Sequence, residues 1–452
     1  MEKNETVQLQ WDELRQFLSS EQIDAFREKF LEIHPYDQAL FFMDQPEAIR
    51  LEIYNFLSPE ETADIMENIE LEDIEPYFTE MDPRYAAMVF AEMSTDDAVD
   101  ILNELDKDKV VSFLTIMDDE AAEEIKELLH YEEKTAGSIM TTEYMAIYQT
   151  QTVKETMAVL KEEAPEAETI YYMYVLDEDK HLVGVLSLRD LIIADNDVLI
   201  KEIMSEKIVS VSVAEDQEDV ARMIRDYDFL ALPVVDFQHH LLGIITVDDI
   251  LDVMDEEASD DYSKLAGVSD MDRPNDTALL SAKKRLPWLI ILLFLGMLTA
   301  SLIGRFEDAL SVAPVLAIFI PLIAGMAGNT GTQALAVAVR GLATGEYGKQ
   351  GKLKLIVREA LTGLITGTVC GIVITGIIYL WKGEFFLGVL VGLSIMATLI
   401  VATLAGSLVP IVMDKFHIDP AVASGPFITT INDIISILIY FGMATAFMSF
   451  LI

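Results

Sequence analysis

The hydrophobic pattern of the first 130 or so residues is helical throughout. Apolar side chains recur at i, i+3, i+4 and i+7, as they do at Ala98, Ile101, Leu102 and Leu105. A weak repeat relates residues 57–66 to residues 93–102, and in each copy a serine precedes an acid by three positions, as in a capping box. We therefore predict stacked helical hairpins, an all-α superhelical domain, over residues 1–132.

The pattern then changes to short strands that alternate with helices, and this pattern occurs twice. Ile139-Met140-Thr141 begins the first copy and Ile203-Met204-Ser205 begins the second, a period of 64 residues from Met140 to Met204. A period of this length indicates a tandem of small α/β domains. We place the first domain at residues 133–199 and the second at residues 200–257.

Five long and nearly uncharged stretches follow, each adequate to span a bilayer. They are Leu286–Gly304, Ala309–Val339, Ala360–Trp381, Phe385–Met413 and Pro420–Ile452. We therefore predict a transmembrane bundle of five helices over residues 284–452. Basic residues are concentrated before the first stretch and between the second and third, so the N-terminal half is predicted to be cytosolic and the C-terminus to lie outside the cell.

The last stretch carries a polar stripe on an otherwise apolar helix. Its members recur at i, i+3, i+4, i+7 and i+11, namely Thr429, Asn432, Asp433, Ser436 and Tyr440. Ser424 and Pro426 provide an N-cap and a first-turn proline. A carboxylate at mid-membrane costs roughly 3 kcal/mol or more, so the stripe should face a bundle interior or a watery path. Asp433 is either a cation site on a permeation path or a hydrogen-bonded contact between helices.

The second stretch is unusual because Pro321 and the segment AGNTGTQ, residues 327–333, place three polar residue types and several small ones at membrane depth. Irregular backbone at this depth is tolerated where it is buried in protein or lines a water-filled cavity. Close helix packing through glycine is the alternative, and it accounts less well for Asn329 and Gln333.

Charge separates the two halves of the chain. Residues 284–452 contain 10 Lys and Arg against 8 Asp and Glu, and the whole chain carries −46, so residues 1–283 carry −48. Such a region is expected to recruit counter-cations or to expand without them, and with no basic stripe it is not expected to bind nucleic acid. The segment DDILDVMDEEASDD, residues 248–261, is the densest run of carboxylates. It is either a solvated helix or a helix in which a bound divalent cation would relieve the repulsion between like charges.

The cysteine, histidine and glycine-rich motifs that mark many enzymes and zinc sites are absent from the sequence. The single cysteine, Cys370, permits neither a disulfide framework nor a cysteine-based zinc site. None of the six histidines lies in an HExxH arrangement, and no GxxxxGK[ST] loop is present. We therefore do not expect an enzyme.

The α/β tandem resembles a pair of CBS domains, regulatory modules that commonly bind adenine nucleotides. In that family a Ser or Thr and an Asp three residues later hold the ribose, which implies ATP at Ser187 with Asp190 and at Thr246 with Asp249. The alternative is that these residues cap the helix that follows each strand.

The whole chain resembles the MgtE family of magnesium channels, in the order of its domains and in AGNTGTQ and the lone Asp433. The resemblance implies a homodimer in the cell membrane, with Asp433 of each subunit lining a pore between them. It implies a connecting helix at residues 258–283 and pore-lining positions at Asn329, Thr330, Gly425, Thr429 and Asn432. Some relatives carry Asn where this chain has Gly425, at the pore entrance.

The resemblance also implies cytosolic magnesium sites. The matching acids are Asp97, Asp100, Asp216, Glu218, Asp228, Asp249, Asp252, Glu257, Asp260 and Asp261. Asp97 and Asp100 have a second role available, stabilisation of a helix N-terminus. Our hypothesis is that bound Mg²⁺ neutralises these acids and closes the pore, and that loss of the ions opens it.

Three questions stay open at this point. An oxygen-lined pore suits Mn²⁺, Co²⁺ and Ni²⁺ as well as Mg²⁺. An ion-coupled secondary transporter for divalent cations, with Asp433 as carrier, is an alternative to a channel. A nucleotide-regulated membrane enzyme is a further alternative, which would need a catalytic group that the motifs above do not supply.

Overall fold

The computed structural model describes residues 2–20, 22–165, 167–269, 276–345 and 351–447. They divide into two compact units, Met1–Val253 and Met254–Ile452, and the division falls within one helix, Val247–Ala266. Predicted features at residues 270–275 and after residue 447, which include part of the connecting segment and the end of the fifth stretch, lie outside the described residues.

The first unit begins with short helices. Their bounds are α1 Glu2–Ser19, α2 Ile23–Phe30, α3 Pro35–Met43, α4 Glu47–Phe56, α5 Pro59–Met66, α6 Leu71–Glu80, α7 Pro83–Glu92, α8 Thr95–Glu104, α9 Lys107–Ile116 and α10 Asp119–Leu128. Alternate helices contact each other: α3 packs on α5, α5 on α7 and α7 on α9, while α6 packs on α8 and α8 on α10. Two rows of stacked helices result, so the predicted superhelical domain is confirmed.

The capping boxes of the sequence repeat differ in outcome. Ser58 accepts a hydrogen bond from the Glu61 backbone N–H, and the Glu61 carboxylate accepts one from the Ser58 N–H, which is a complete box. In the second copy Ser94 makes no cap; its hydroxyl instead donates to the Asp97 carboxylate at 2.7 Å. The prediction of a second capping box is therefore wrong, because the Asp97 carboxylate accepts a hydrogen bond from the Ser94 hydroxyl and not from the Ser94 backbone N–H.

Two small sheets complete the first unit. The first repeat contains β1 Tyr144–Tyr148, α11 Val153–Glu163, β2 Thr169–Leu176, β3 Leu182–Ser187, α12 Leu188–Ile193 and α13 Ile200–Ile203. The second contains β4 Val211–Ser212, α14 Gln217–Tyr227, β5 Ala231–Val235, β6 Leu241–Thr246 and α15 Val247–Ala266. In each sheet a parallel pair is followed by an antiparallel pair, in the orders β1-β2-β3 and β4-β5-β6. The predicted α/β tandem is confirmed.

The second unit is helical. Its elements after α15 are α16 Ala278–Gly304, α17 Glu307–Val312, a 3-10 helix Pro314–Phe319, α18 Ile320–Ala343, α19 Gly351–Lys382, α20 Phe385–Lys415, a 3-10 turn Pro420–Val422 and α21 Gly425–Ala446. By length and composition five segments could cross a membrane, namely Ala278–Gly304, Pro314–Ala343, Gly351–Lys382, Phe385–Lys415 and Gly425–Ala446. Five predicted spans are therefore confirmed as helices.

The second span differs from the sequence expectation in where it is irregular. The AGNTGTQ segment lies within the regular helix α18, and the helical break comes earlier, between α17 and Ile320. Pro314 begins a 3-10 helix there, and Pro321 lies in the first turn of α18, where its missing N–H costs no helical hydrogen bond. The prolines thus mark the start of the span, and the small residues serve helix packing.

Candidate functional site

Helix α21 presents the intramembrane carboxylate. Ser424 is its N-cap and accepts a hydrogen bond from the Phe427 N–H at 3.4 Å, as the sequence predicts. Asp433 lies two turns into the helix and is half-buried. Its backbone carbonyl accepts from the Ser436 hydroxyl at 2.8 Å, but among the described residues no hydrogen bond or ion pair reaches its carboxylate. The second alternative for Asp433, a hydrogen-bonded contact to another helix, is not present within the described residues.

The predicted polar stripe of α21 divides into two parts. Asn432, Ser436 and Tyr440 are buried inside the unit, and the Tyr440 hydroxyl donates to the Leu316 carbonyl at 3.0 Å. Thr429 and Asp433 are half-buried beside them. Asn432 is only 1% exposed, and within the described part of the chain neither atom of its amide has a hydrogen-bond partner. An unpaired buried amide costs about 1–3 kcal/mol, so it marks a position at which a further polar group is expected.

Two glycines of α18 allow α21 to approach closely. A methyl group on Gly328 would lie 2.7 Å from Cγ2 of Thr429, and one on Gly331 would overlap the side-chain amide of Asn432. The hydroxyls of Thr332 and Thr429 lie 3.3 Å apart across the same contact. The glycines of AGNTGTQ therefore pack the second span against the residues that flank Asp433.

Apart from Thr332, the polar residues of AGNTGTQ lie on other faces of α18. Asn329 and Gln333 are exposed in the single chain, and Thr330 is half-buried. The side-chain amides of Asn329 and Gln333 thus have no packed partner among the described residues, and hydrocarbon would solvate them poorly.

The start of α21 also contacts the end of α15. Gly425 is buried, and a methyl group there would lie 3.2 Å from the Leu265 carbonyl oxygen and 3.4 Å from Cγ2 of Thr332. Gly267 follows α15 with a φ of +74°, a left-handed conformation that favours glycine, and packs against Pro426. A larger residue at position 425 would therefore meet the α15 backbone.

An ion pair joins α15 to Asp419, the N-cap of the 3-10 turn that precedes α21. The Lys264 ammonium lies 2.7 Å from the Asp419 carboxylate and 3.4 Å from that of Asp260. Burial raises the pKa of Asp261 to about 6, and the nearby charge of Asp419 adds to this rise. The charge of Glu257 also raises the pKa of Asp261. Lys264 therefore shares this site with four acids, namely Glu257, Asp260, Asp261 and Asp419.

A second acidic cluster lies in the first unit. Burial raises the pKa of Asp97 to about 6, with further contributions from Asp249, Asp252 and Asp248. Burial, and then the charge of Asp249, raise the pKa of Asp96 well above its usual range. Asp96 is 9% exposed, and its Oδ1 has no hydrogen-bond partner within the described residues. We call Asp96, Asp97, Asp248, Asp249 and Asp252 the acidic cluster.

The donor set of the acidic cluster fits a hard divalent cation. Carboxylate oxygens are the ligands that Mg²⁺ prefers, and the ion commonly contacts one or two of them while it keeps several waters. A bound cation would also supply the partner that Asp96 lacks. Asp96 was missed from the sequence although it adjoins Asp97, because a run of two acids at a helix start also suits a solvated face.

Three known family models match the chain. The family model MgtE, described as a divalent cation transporter, matches residues 320–443; the MgtE intracellular N domain matches residues 33–134, and the CBS domain matches residues 136–197 and 200–256. A magnesium transporter MgtE of Enterococcus faecalis is 53% identical over 454 residues, covering 100% of both chains. The chain belongs to the MgtE family.

A second MgtE protein and two solved structures are also similar to this chain. The magnesium transporter MgtE of Bacillus subtilis is 44% identical and covers 94% of each chain. A crystal structure of the soluble part of a magnesium transporter is 53% identical, covers 56% of this chain and 99% of its own, and has a TM-score of 0.55. The cytosolic domain of the Mg²⁺ channel MgtE in complex with ATP is 39% identical, covers 53% and 98%, and has a TM-score of 0.51.

Not all of the acids that the MgtE resemblance implies lie together. Asp97, Asp249 and Asp252 belong to the acidic cluster, and Glu257, Asp260 and Asp261 lie in the second unit. Asp216 is exposed and caps α14 by accepting from the Glu218 N–H at 2.9 Å, and Asp228 ends that helix in a left-handed conformation with a φ of 56°. Asp100 is half-buried one turn after Asp97.

The two predicted nucleotide pairs are constructed alike. The Ser187 hydroxyl donates to the Asp190 carboxylate at 2.6 Å and caps α12 by accepting from the Asp190 N–H at 3.1 Å. Thr246 donates both its hydroxyl and its backbone N–H to Asp249. Helix capping is therefore present at Ser187. Asp249 is shared between this pair and the acidic cluster.

Proposed function

We propose that this chain forms a magnesium channel that imports Mg²⁺ across the cytoplasmic membrane. The single observation that carries the proposal is the Asp433 carboxylate, which lies within a membrane-length helix and has no ion pair or hydrogen bond among the described residues. An intramembrane acid of this kind marks an ion pathway. The MgtE relatives that match the full chain are magnesium transporters by name, which supports the choice of ion.

The pore proposal requires a homodimer. Two Asp433 carboxylates that face each other across a dimer axis would form a charged ring for a hydrated Mg²⁺ ion, which sheds its waters reluctantly. Thr429, Asn432 and Gly425 would line the same path from α21, and Asn329 and Thr330 from α18. The exposed amide of Asn329 supports this role, because its oxygen can accept a hydrogen bond from a water of the hydration shell.

We also propose that cytosolic Mg²⁺ closes the channel. The acidic cluster supports a regulatory site in the first unit, and the acids around Lys264 support one at the entrance to α21. Asp100, Asp216, Glu218 and Asp228 complete the proposed set. Closure by the transported ion requires that Mg²⁺ bind the closed state more tightly than the open state. A shift of the closed-to-open ratio from 1:99 to 99:1 takes about 5.5 kcal/mol, which several weak Mg²⁺ sites could supply together.

ATP is a second proposed ligand. The cytosolic domain of an MgtE channel, 39% identical to this chain, is described in complex with ATP. The Ser187 and Asp190 pair and the Thr246 and Asp249 pair offer the hydroxyl and carboxylate groups that CBS domains use for a ribose. We propose that ATP binds between the CBS repeats.

We also propose a membrane topology, in which the N-terminal domains face the cytosol and the C-terminus lies outside the cell.

Patch-clamp recording tests the channel proposal. Protein reconstituted in a bilayer, with Mg²⁺ as the sole permeant cation, is expected to give unitary currents that decrease as Mg²⁺ on the cytosolic side is raised. Uptake that depends on an opposing ion gradient, with no unitary current, would identify a coupled transporter instead. Currents that do not respond to cytosolic Mg²⁺ would leave the pore intact and overturn the regulatory proposal.

Neutralising one acid of the cluster tests the regulatory site by its stability. Without Mg²⁺, Asp97→Asn is expected to stabilise the protein by roughly 1 to 2 kcal/mol at neutral pH. The reason is that burial raises the pKa of Asp97, so keeping its carboxylate ionised in the folded state costs free energy that the neutral asparagine does not. The same variant should gain less thermal stability from added Mg²⁺ than the unmodified protein. Thermal unfolding of the full-length protein measures both effects.

The matched control is Asp73→Asn, which removes the same charge from an exposed position of α6. It is expected to leave both the stability and the Mg²⁺ response nearly unchanged. An equal Mg²⁺ response in Asp97→Asn and in the unmodified protein would argue against Asp97 as part of a Mg²⁺ site.

A further inference from the structure

Two histidines meet where the two CBS repeats contact each other within the first unit. His181 directly precedes β3, the return strand of the β2–β3 hairpin, and His240 directly precedes β6 in the β5–β6 hairpin. The two residues form an isolated antiparallel bridge, and the Leu182 N–H donates to the His239 carbonyl at 3.0 Å. Residues directly opposite in an antiparallel pair carry their side chains on the same face.

Both histidines are held in the same way by an aspartate four residues earlier. Asp177 accepts from the His181 backbone N–H at 2.9 Å, and its other oxygen lies 3.1 Å from Nδ1 of the ring. Asp236 accepts from the His240 N–H at 2.9 Å, and its other oxygen lies 2.9 Å from Nδ1. Each carboxylate therefore fixes the orientation of one imidazole.

The hydrogen bonds also determine which nitrogen is left for a ligand. A carboxylate only accepts, so Nδ1 of each neutral ring carries the proton, and Nε2 carries the free lone pair. A histidine that ligates a metal through one nitrogen typically donates the other to a carboxylate, which orients the ring and raises its basicity. Both rings have this arrangement before any ion is bound, and both side chains are about one-third exposed, 37% and 34%.

We propose that His181 and His240 together bind a borderline divalent metal ion, of the class of Zn²⁺, Ni²⁺, Co²⁺ and Cu²⁺, through their Nε2 atoms. The ring centres are 4.7 Å apart. The centre of an imidazole lies about 3.2 Å from a zinc ion that it ligates, so two rings on one tetrahedral ion have centres about 5 Å apart. The two histidines thus already have the separation that a shared ion requires.

Ligation would tilt each ring about its Nδ1 hydrogen bond to Asp177 or Asp236, while the ring centres keep nearly their present separation. The imidazoles are now stacked, with 16° between their planes, and each would tilt so that its Nε2 points to the common ion. Water can complete the coordination, and the carboxylate of Asp179 is available nearby, because ligand atoms of Asp177, Asp179 and His181 all lie within 4.8 Å of one another. The site would link the two CBS repeats of one chain.

This site differs in chemistry from the proposed magnesium sites. Imidazole nitrogen suits Zn²⁺, Cu²⁺ and Ni²⁺, whereas Mg²⁺ is held by carboxylates, carbonyls and water. Excess Mg²⁺ is therefore expected to occupy the acidic cluster and the other oxygen sites without displacing an ion from the two histidines.

A competition titration tests the proposal. The full-length protein in detergent, with Mg²⁺ in large excess, competes with a chromophoric chelator for Zn²⁺. One tight Zn²⁺ site per chain is expected, and His181→Gln and His240→Gln should each weaken it about tenfold or more. Asp177→Asn, which removes the carboxylate that orients His181, should weaken it about tenfold. The EPR spectrum of bound Cu²⁺ should show nitrogen hyperfine coupling that diminishes in either histidine variant.

His239→Asn is the matched control. It removes an adjacent, exposed imidazole, and asparagine tolerates the left-handed backbone at this position, where φ is 65°. This variant should bind Zn²⁺ like the unmodified protein. The proposal is overturned if excess Mg²⁺ abolishes Zn²⁺ binding, if the His181 and His240 variants bind Zn²⁺ normally, or if His239→Asn weakens binding as much as they do. Thermal unfolding of each variant without metal shows whether a loss reflects misfolding.

Discussion

Asp433→Asn is expected to reduce the Mg²⁺ current of the reconstituted channel by at least about tenfold per carboxylate removed. A hydrogen bond to a charged group contributes about 1.5–3 kcal/mol, which corresponds to a factor of roughly 10 to 150. Asparagine keeps the size of the side chain and its capacity to accept a hydrogen bond, but it removes the charge. Because each subunit of the proposed dimer supplies one Asp433, both contributions are lost together. Unitary recordings with Mg²⁺ as the sole permeant cation measure the effect.

The control removes a charge elsewhere in the same unit. Asp308→Asn lies in the short helix α17, where Asp308 is exposed, and it should leave the Mg²⁺ current unchanged. Asp433→Glu, which keeps the charge but moves it outward by one methylene group, should retain part of the current. Full Mg²⁺ current through Asp433→Asn channels would show that this carboxylate is not the ion site.

Gly331→Ala is expected to destabilise the membrane unit by about 1–3 kcal/mol, the usual cost of overpacking, and to reduce Mg²⁺ current. The added methyl group would overlap the buried amide of Asn432, the residue next to Asp433. The contact has little room to relax, since Gly406 of α20 packs against the Gly331 backbone on another side. Thermal unfolding in detergent, together with the recordings above, measures the two effects.

Gly376→Ala provides the comparison. It makes the same substitution in α19 at a position where a methyl group would meet nothing within 4 Å. Alanine favours a helix by about 0.5–1 kcal/mol over glycine, so this variant should be unchanged or slightly more stable. If Gly331→Ala were as stable and as active as Gly376→Ala, the close approach of α18 to α21 would not be important for the pore.

The sequence predicted the features that depend on local patterns. The five apolar stretches, the Ser424 cap and the position of Asp433 on α21 all follow from composition and spacing within one segment. The irregularity of the second span was left open, because proline and glycine signal both an irregular backbone and close packing. The structure separates the two roles: Pro314 and Pro321 lie at helix starts, whereas Gly328 and Gly331 lie inside a regular helix.

Features that depend on residues distant in sequence could not be predicted in this way. Asp96 belongs to the acidic cluster only because α8 and the start of α15 are brought together, more than 150 residues apart. The absence of a capping box at Ser94 has a similar origin, since the Ser94 N–H donates at 2.9 Å to Glu67, the C-cap residue of α5. The contact of Gly331 with Asn432 also joins two separate spans.

The packing of α19 against α20 has a mechanical consequence. Gly363, Gly367 and Gly371 recur every fourth residue, and a methyl group on any of them would approach the α20 backbone within 3 Å. The Thr375 hydroxyl of α19 donates to the Gly388 carbonyl of α20 at 3.0 Å. Backbones in such close contact resist sliding, because any axial shift would drive side chains into the space that the glycines leave. The two helices should therefore move as one rigid body.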